Sequence, residues 1–349
     1  MILKGRNVSI FISCLLFLVL LCFFPNSAKK AVAEGLQVCG CSVIPALFPF
    51  FIVSKLLLRA LKDVQPPKWL CRFMEGFFGV EGACATPLLM SFLGGYPVGV
   101  SCVVSQYKSG NIVKSSAERA LLFCNNSGPG FFIGMVGASV LGNIRLGLLL
   151  YLIHIISAMI VGRLLAKRTA EAVSIRRIPV SGESFSKQFI DAVSESCGTL
   201  LNICGFILFF SLLMALIEAI GAFCFLEKSF NIAQKEELSA IVYGSLELTG
   251  GILRLKNCCN AFPAAAFLMG WGGICVHFQA MSLWHTAGLR PRGYFLAKLL
   301  QAGISAIIAS TFLAPNTVKL LVLALILCIS VFLPQIRKKS SGNFAHFAV

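Results

Sequence analysis

Long apolar runs alternate with short polar, mostly basic stretches along nearly the whole chain. Runs at residues 8–24, 36–58, 144–165, 193–220, 294–314 and 318–333 approach or exceed the roughly 20 residues a helix needs to cross a hydrocarbon core of about 30 Å. Two further runs are interrupted. Residues 80–104 are broken by Gly94-Gly95-Tyr96-Pro97-Val98-Gly99, too early for a straight span, so this pattern predicts a re-entrant hairpin. Residues 120–141 are broken by Asn125-Asn126-Ser127-Gly128-Pro129-Gly130, which predicts a membrane helix interrupted halfway. Gly and Pro weaken the backbone ladder there, and freed N–H and C=O groups cannot face lipid. The Asn-Asn-Ser cluster supplies donors and acceptors at that depth, as in the discontinuous helices that form solute sites. The same residues also suit a proline-kinked helix whose Asn pair joins its neighbours.

The pattern then starts again. Cys197-Gly198 precedes an apolar run as Cys39-Gly40 does, Leu248-Thr249-Gly250-Gly251 answers Phe92-Leu93-Gly94-Gly95, and a break at Gly270-Trp271-Gly272-Gly273 falls in the place of Asn126-Ser127-Gly128-Pro129. Three landmarks in one order predict a duplicated unit of kinked span, hairpin, broken helix and continuous span. Three crossings per unit would invert the second copy. The expected fold is an all-α polytopic membrane protein of about eight transmembrane helices plus two re-entrant hairpins in a transporter-like inverted repeat. Its divisions are an N-terminal helix (1–34), a first repeat (35–165), a cytoplasmic linker (166–192), a second repeat (193–315), and a last helix with a basic tail (316–349). The first apolar run is followed by Asn26-Ser27-Ala28, like a signal peptide, but is longer than such a segment usually is, so a retained span is expected. Residues 68–78, with Trp69, Phe73, Phe77 and Phe78 among Lys68, Arg72 and Glu75, predict a helix lying in the membrane interface. Pro45 and Pro49 predict a kink in the second span.

Composition agrees: 57% hydrophobic and 13% charged residues exceed what a soluble core of this size needs. The net charge of +16 does not imply nucleic acid, because Lys and Arg lie between apolar blocks and at the ends. With both termini cytoplasmic, the clusters Lys4 and Arg6, Arg59 and Lys62, Lys167 and Arg168, Arg176 and Arg177, and Arg337 to Lys339 fall inside, as the positive-inside rule requires; Lys29 and Lys30 fit worst. The cysteines lie mostly in apolar segments, and neither Cys39-Gly40-Cys41 nor Cys258-Cys259 has zinc or haem spacing, so no metal or cofactor is expected. No nucleophile with a base, Walker loop or HExxH occurs. Catalysis is therefore not expected; it would need an acid pair, and only Glu81 with Glu247 could supply one.

If hairpin tips and breaks meet, the candidate binding residues are Gly94, Gly95, Tyr96, Asn125, Asn126, Ser127, Glu247, Thr249, Gly250, Gly251, Gly272, Gly273, His277 and Gln279. Glu247 is the acid of choice, since an ionisable group within an apolar segment is costly; it could equally serve a hairpin hydrogen bond to Thr249 or Ser245. His277 could carry a coupled proton or join helices; His154 has no neighbour to recommend it. Tyr96 and Trp271 could stack a ring-bearing solute or fill space.

The segments around Ile44-Pro45-Ala46-Leu47-Phe48-Pro49-Phe50, Gly94-Gly95-Tyr96-Pro97-Val98-Gly99, Phe123-Cys124-Asn125-Asn126-Ser127-Gly128-Pro129 and residues 272–277 resemble the YlbJ-type sporulation integral membrane proteins of the nucleoside-recognition (Gate) domain group, over residues 35–315. This resemblance implies a multi-pass protein of the bacterial cytoplasmic membrane, in the mother-cell or forespore membrane of an endospore former, needed for spore cortex formation. A more distant similarity to concentrative nucleoside transporters and to the gate segments of ferrous-iron permeases implies passage of a small polar solute, nucleoside-like or other, with or without a coupled ion. Where nucleoside transporters carry polar clusters on both hairpins, the first hairpin here offers mainly Gly, Tyr and Pro. The alternative expectation is a non-transporting scaffold that recruits spore-envelope or germination partners through residues 166–187 and the stretch at Lys68.

Overall fold

A computed structural model of the chain describes residues 5–60, 66–166, 184–221 and 235–313, and among them every regular element is helical. α1 (Gly5–Phe23) turns sharply at Phe24 into α2 (Pro25–Val38), the pair being bent by 98°. Residues 26–28, which the sequence suggested as a small-residue break, are helical because Pro25 sits in the first turn, where its missing N–H is no loss. Pro45 and Pro49, expected to kink the second span, both fall within one continuous helix. A wide π turn, Cys39–Val43, precedes α3 (Ile44–Ala60), with Ile44 N–H bonded to Cys39 O, and Pro49 stays inside α3.

α4 (Lys68–Phe73) runs on through a π turn, Met74–Phe78, and buries Met74 and Phe78 while Trp69 and Phe73 stay exposed, the two-faced pattern the sequence predicts. This stretch stands at 94° to the segment Gly82–Gly94 that follows. α5 (Ala85–Gly94) and α6 (Val98–Lys108) form the expected hairpin about Gly95, Tyr96 and Pro97. At 1.5 Å per residue each arm is about 15 Å long, half of a hydrocarbon core.

The first broken helix departs from expectation. Its amino-terminal half is α7 (Lys114–Ala120), which lies almost wholly before the apolar run at 120–141. Residues 121–124 continue from α7 in hydrogen-bonded turns, residues 125–128 form no regular structure, and Pro129 begins the next helical stretch rather than kinking it; the π-helical segment Phe131–Val140 follows. Asn and Ser side chains compete with the backbone for hydrogen bonds, so three in a row favour an extended loop over a kink. α8 (Ile144–Leu164) is the predicted continuous span, capped by Asn143, which accepts the Arg145 N–H at 2.9 Å.

α9 (Phe185–Ala219) contains the span predicted at 193–220 but is 35 residues long and starts inside the presumed linker, capped by Ser184. α10 (Lys235–Leu246) and α11 (Leu248–Arg254) form the second hairpin, α12 (Ala261–Trp271) and α13 (Gly273–His285) the second broken helix, and α14 (Tyr294–Leu313) the closing span. Among the described residues four helices are long and apolar enough to cross a membrane, Ile144–Leu164, Phe185–Ala219, Ala261–His285 and Tyr294–Phe312, or up to six if each bent pair counts as one. The expected last span at 318–333, its basic tail, residues 167–183 of the linker and residues 222–234 lie outside the described residues.

Two layers hold the site in place: α14 packs on α12 and α8, and α9 packs on α2 and α3. The ends of α3 and α9 are tied by Arg59, whose guanidinium is 2.8 Å from Glu195 and 3.9 Å from Asp191, with Lys55 3.4 Å from Glu195.

The tip of the second hairpin is not where the glycine pair suggested. The chain breaks at Glu247, and Gly250 and Gly251 lie in the following arm, where their lack of a side chain serves packing. A Cβ on Gly251 would stand 2.0 Å from Gly244 Cα, so the two arms touch backbone to backbone. Gly251→Ala is therefore expected to force the hairpin open and lower stability by about 1–3 kcal/mol. Thermal unfolding of the purified variant in detergent checks this; an unchanged transition would mean the arms are not in contact.

Candidate functional site

The interrupted segments meet. At the first break, a Cβ on Gly95 would lie 2.9 Å from Gly128 N, so the first hairpin tip rests on the extended loop. At the second break, Gly272 and Gly273 take φ values of +89° and +78°, which side chains resist, and a Cβ on Gly273 would lie 3.1 Å from Leu248 N, against the second tip. Tyr96 joins the two sets. Its hydroxyl donates to Met269 O at 3.0 Å, one turn before the second break.

Between these segments is a cavity of about 320 Å³, at the low end of the roughly 300–1,000 Å³ usual for small-molecule sites. Of the predicted residues, Gly94, Gly95, Tyr96, Ser127, Glu247, Thr249 and Gln279 line it. Gly128, Gly130, Gly134 and Ser139 from the first break, with Val43, Leu47, Ile203 and Ile207 from α3, its π turn and α9, complete much of the wall. Most of the lining is apolar, with a few polar groups set at the breaks.

Glu247 is both a cap and a wall. Its Oε1 accepts the Thr249 N–H at 2.9 Å and its Oε2 the Gly250 N–H at 2.5 Å. The hairpin-bonding alternative thus describes its contacts: Thr249 is a partner, and the Gly250 amide is a second. A carboxylate offers about four lone-pair positions, so two bonds leave acceptor capacity facing the cavity.

The other predicted residues stand behind the wall. Asn125 and Asn126 point away from the cavity into a buried polar network. Asn126 Nδ2 donates to Ser91 Oγ at 3.0 Å and Phe123 O at 2.7 Å, and its Oδ1 accepts from Gln301 at 3.0 Å. Asn125 Nδ2 donates to Tyr294 Oη at 2.5 Å, and the same hydroxyl lies 3.1 Å from His277 Nδ1. The Ser127 N–H donates to His154 Nε2 at 3.2 Å, and Gln301 lies 3.4 Å from His154 Nδ1. Each residue of the Asn-Asn-Ser cluster is therefore held by α8 or α14. Asn125 Oδ1 and His277 Nε2 are buried without a hydrogen-bond partner. His277 instead packs its ring edge-on to Trp271, centroids 4.5 Å apart, and Trp271 donates its indole N–H to Ser245 O at 3.0 Å. Gly250, Gly251, Gly272 and Gly273 shape the approach of helices and do not line the cavity.

Sequence reasoning missed four members of this network: Ser91, Lys298, Gln301 and Tyr294. Lys298 is fully buried, with Nζ 2.5 Å from Asn125 O and 2.6 Å from Gln301 Oε1. The signal was present, since Lys298 and Gln301 are three residues apart in an otherwise apolar span and so share one helix face. Glu81, the other half of the only conceivable acid pair, lies elsewhere: its Oε2 accepts the Val113 N–H at 2.7 Å in the connection to α7.

If Asn126 and Gln301 hold the loop as a unit, replacing each with Leu, singly and together, will give a coupling energy of about 1–2 kcal/mol in thermal unfolding. Strict additivity would show that the pair does not interact.

Comparison with known proteins gives one informative likeness. The chain is 26% identical over 320 residues to the sporulation integral membrane protein YlbJ of Bacillus subtilis (strain 168), covering 81% of this chain and 77% of that protein. No family model matches. No solved structure matches either.

Proposed function

We propose, on the premise that the chain belongs to the YlbJ family of sporulation integral membrane proteins, that it carries a small polar solute across a membrane of the sporulating cell by rearrangement around the central cavity. One observation carries this reading. Four interrupted segments, two from each half of the chain, close on one internal space whose polar groups sit at the interruptions. Irregular backbone at membrane depth is tolerated only where it is buried in protein or lines a wet cavity. Hairpin tips resting on breaks are natural moving parts, because each arm of a hairpin crosses only half the bilayer.

In this reading Ser127, Glu247, Thr249 and Gln279 orient the solute, Tyr96 separates the cavity from the polar network behind it, and the apolar wall from α3 and α9 excludes competing water. The likeness to gate segments of nucleoside transporters agrees with the hairpin-and-break geometry but leaves the solute open to any small polar molecule. The network of Asn125, Asn126, His154, Lys298 and Gln301 holds the first break and does not touch the solute. Service in cortex formation in the mother-cell or forespore membrane belongs to the same proposal. A recruiting scaffold would have no use for an internal cavity.

Gly134 offers a clean test, since it lines the cavity and a Cβ placed there meets nothing within 4 Å. Gly134→Leu should leave folding intact yet fill the space. Complementation of a sporulating strain lacking the protein is expected to fail with Gly134→Leu and to succeed with Gly198→Leu, a substitution at another open glycine that does not line the cavity. Normal, heat-resistant spores from Gly134→Leu, at wild-type protein levels in the membrane, would contradict solute passage through this cavity.

A further inference from the structure

Lys298 has more to explain than a place in a hydrogen-bond network. Its side chain is fully buried in the middle of the bundle, and among the described residues no carboxylate lies within ion-pair distance of its ammonium. Removing an ammonium from water costs several kcal/mol, and a neutral donor such as Gln or Ser could bond the same acceptors without that penalty. An amine at this position, in place of a neutral amide or hydroxyl, therefore needs a reason.

The surroundings supply one. The first acceptor is the main-chain carbonyl of Asn125, which has no helical partner because residues 125–128 are extended. The second is Gln301 Oε1. On a third side stands Tyr96, whose ring centroid is 5.9 Å from Nζ, within reach of a cation–π contact. Carbonyl oxygens at an unwound segment, an amide oxygen and a π face are the surroundings in which discontinuous-helix proteins hold a monovalent cation. Here the chain's own ammonium is in that position.

We infer that Lys298 is a tethered cation: its ammonium does at the first break what a dissociable monovalent ion would do, fixing the loop that walls the cavity. It touches both cavity-lining parts of the first half, the 125–128 loop through Asn125 and the hairpin tip through Tyr96. Because the charge is covalently attached, this position neither takes up nor releases sodium, and any solute cycle moves no metal ion through it. This rests on the reading of the cavity as a solute path, and it identifies which group holds that path's wall.

The test is amide hydrogen exchange of the segment 121–128 in the full-length protein in detergent, which reads the loop and not the solute. In the wild-type protein, replacing sodium by choline is expected to leave protection unchanged. Lys298→Met and Lys298→Ala should each exchange about ten- to a hundredfold faster there, the loss expected when a hydrogen bond to a charged group is removed. Propylammonium, which matches the deleted side chain, should restore protection to Lys298→Ala, and 1-propanol, of similar size but uncharged, should not. Sodium-dependent protection of the wild type, or Lys298→Met protected as well as wild type, would overturn the inference. Should both Lys298 variants fail to fold, Lys298→Gln keeps a donor without the charge: faster exchange confined to 121–128 supports the assignment, and wild-type exchange overturns it. Failure of the solute path would appear elsewhere, as normal spores from the cavity-filling variant.

Discussion

Every departure from regular helix in this protein has to find partners for its own backbone. A lipid environment provides none, so an unpaired N–H or C=O costs several kcal/mol wherever it meets hydrocarbon. The hairpin tip at Gly95 lies against the loop 125–128 and the double-glycine turn at Gly272–Gly273 against the turn at Glu247, and polar side chains bond the exposed backbone: His154 takes the Ser127 N–H, Lys298 donates to Asn125 O, and Glu247 takes the Thr249 and Gly250 N–H groups. The cavity is the space left where they meet. Its polar character follows from the same cause, because the groups that satisfy broken backbone are those able to hydrogen-bond.

The two halves solve this problem differently. In the second half the break is minimal: two glycines with positive φ reverse the local helix sense between α12 and α13, and Glu247 caps the facing arm. In the first half the loop is longer and cannot satisfy itself. It draws on α8 and α14, through His154, Gln301, Lys298 and Tyr294, so the continuous spans of both halves become its scaffold. This difference places a positive charge next to one break and a carboxylate at the opposite tip. The same order of hairpin, break and span in both halves thus carries unequal chemistry.

Much of this was legible from the sequence, for identifiable reasons. Apolar runs of membrane length located α8 and α14, and the run at 193–220 located the interior of α9, since length and hydropathy act locally. The interruptions at residues 94–99, 125–130 and 270–273 pointed to the elements that form the site, because Gly, Pro and Asn disturb helices whatever surrounds them. Their detailed geometry was less legible. Gly250 and Gly251 looked like a turn but serve helix contact, as only tertiary packing can decide which use a glycine pair has. Pro129 looked like a kink but starts a helix. The pairing of Lys298 with Asn125 was not legible, because the carbonyl belongs to a residue far away in sequence and no local pattern records that contact.

The account stands or falls on the meeting of the two halves at Tyr96. A photoreactive p-azidophenylalanine in place of Tyr96 keeps the ring and samples its immediate surroundings in the native membrane. If the first hairpin tip lies against the second broken helix, mass spectrometry will find its adducts on residues 269–276. Adducts confined to lipid or to residues before 166 would show that the halves do not share one site.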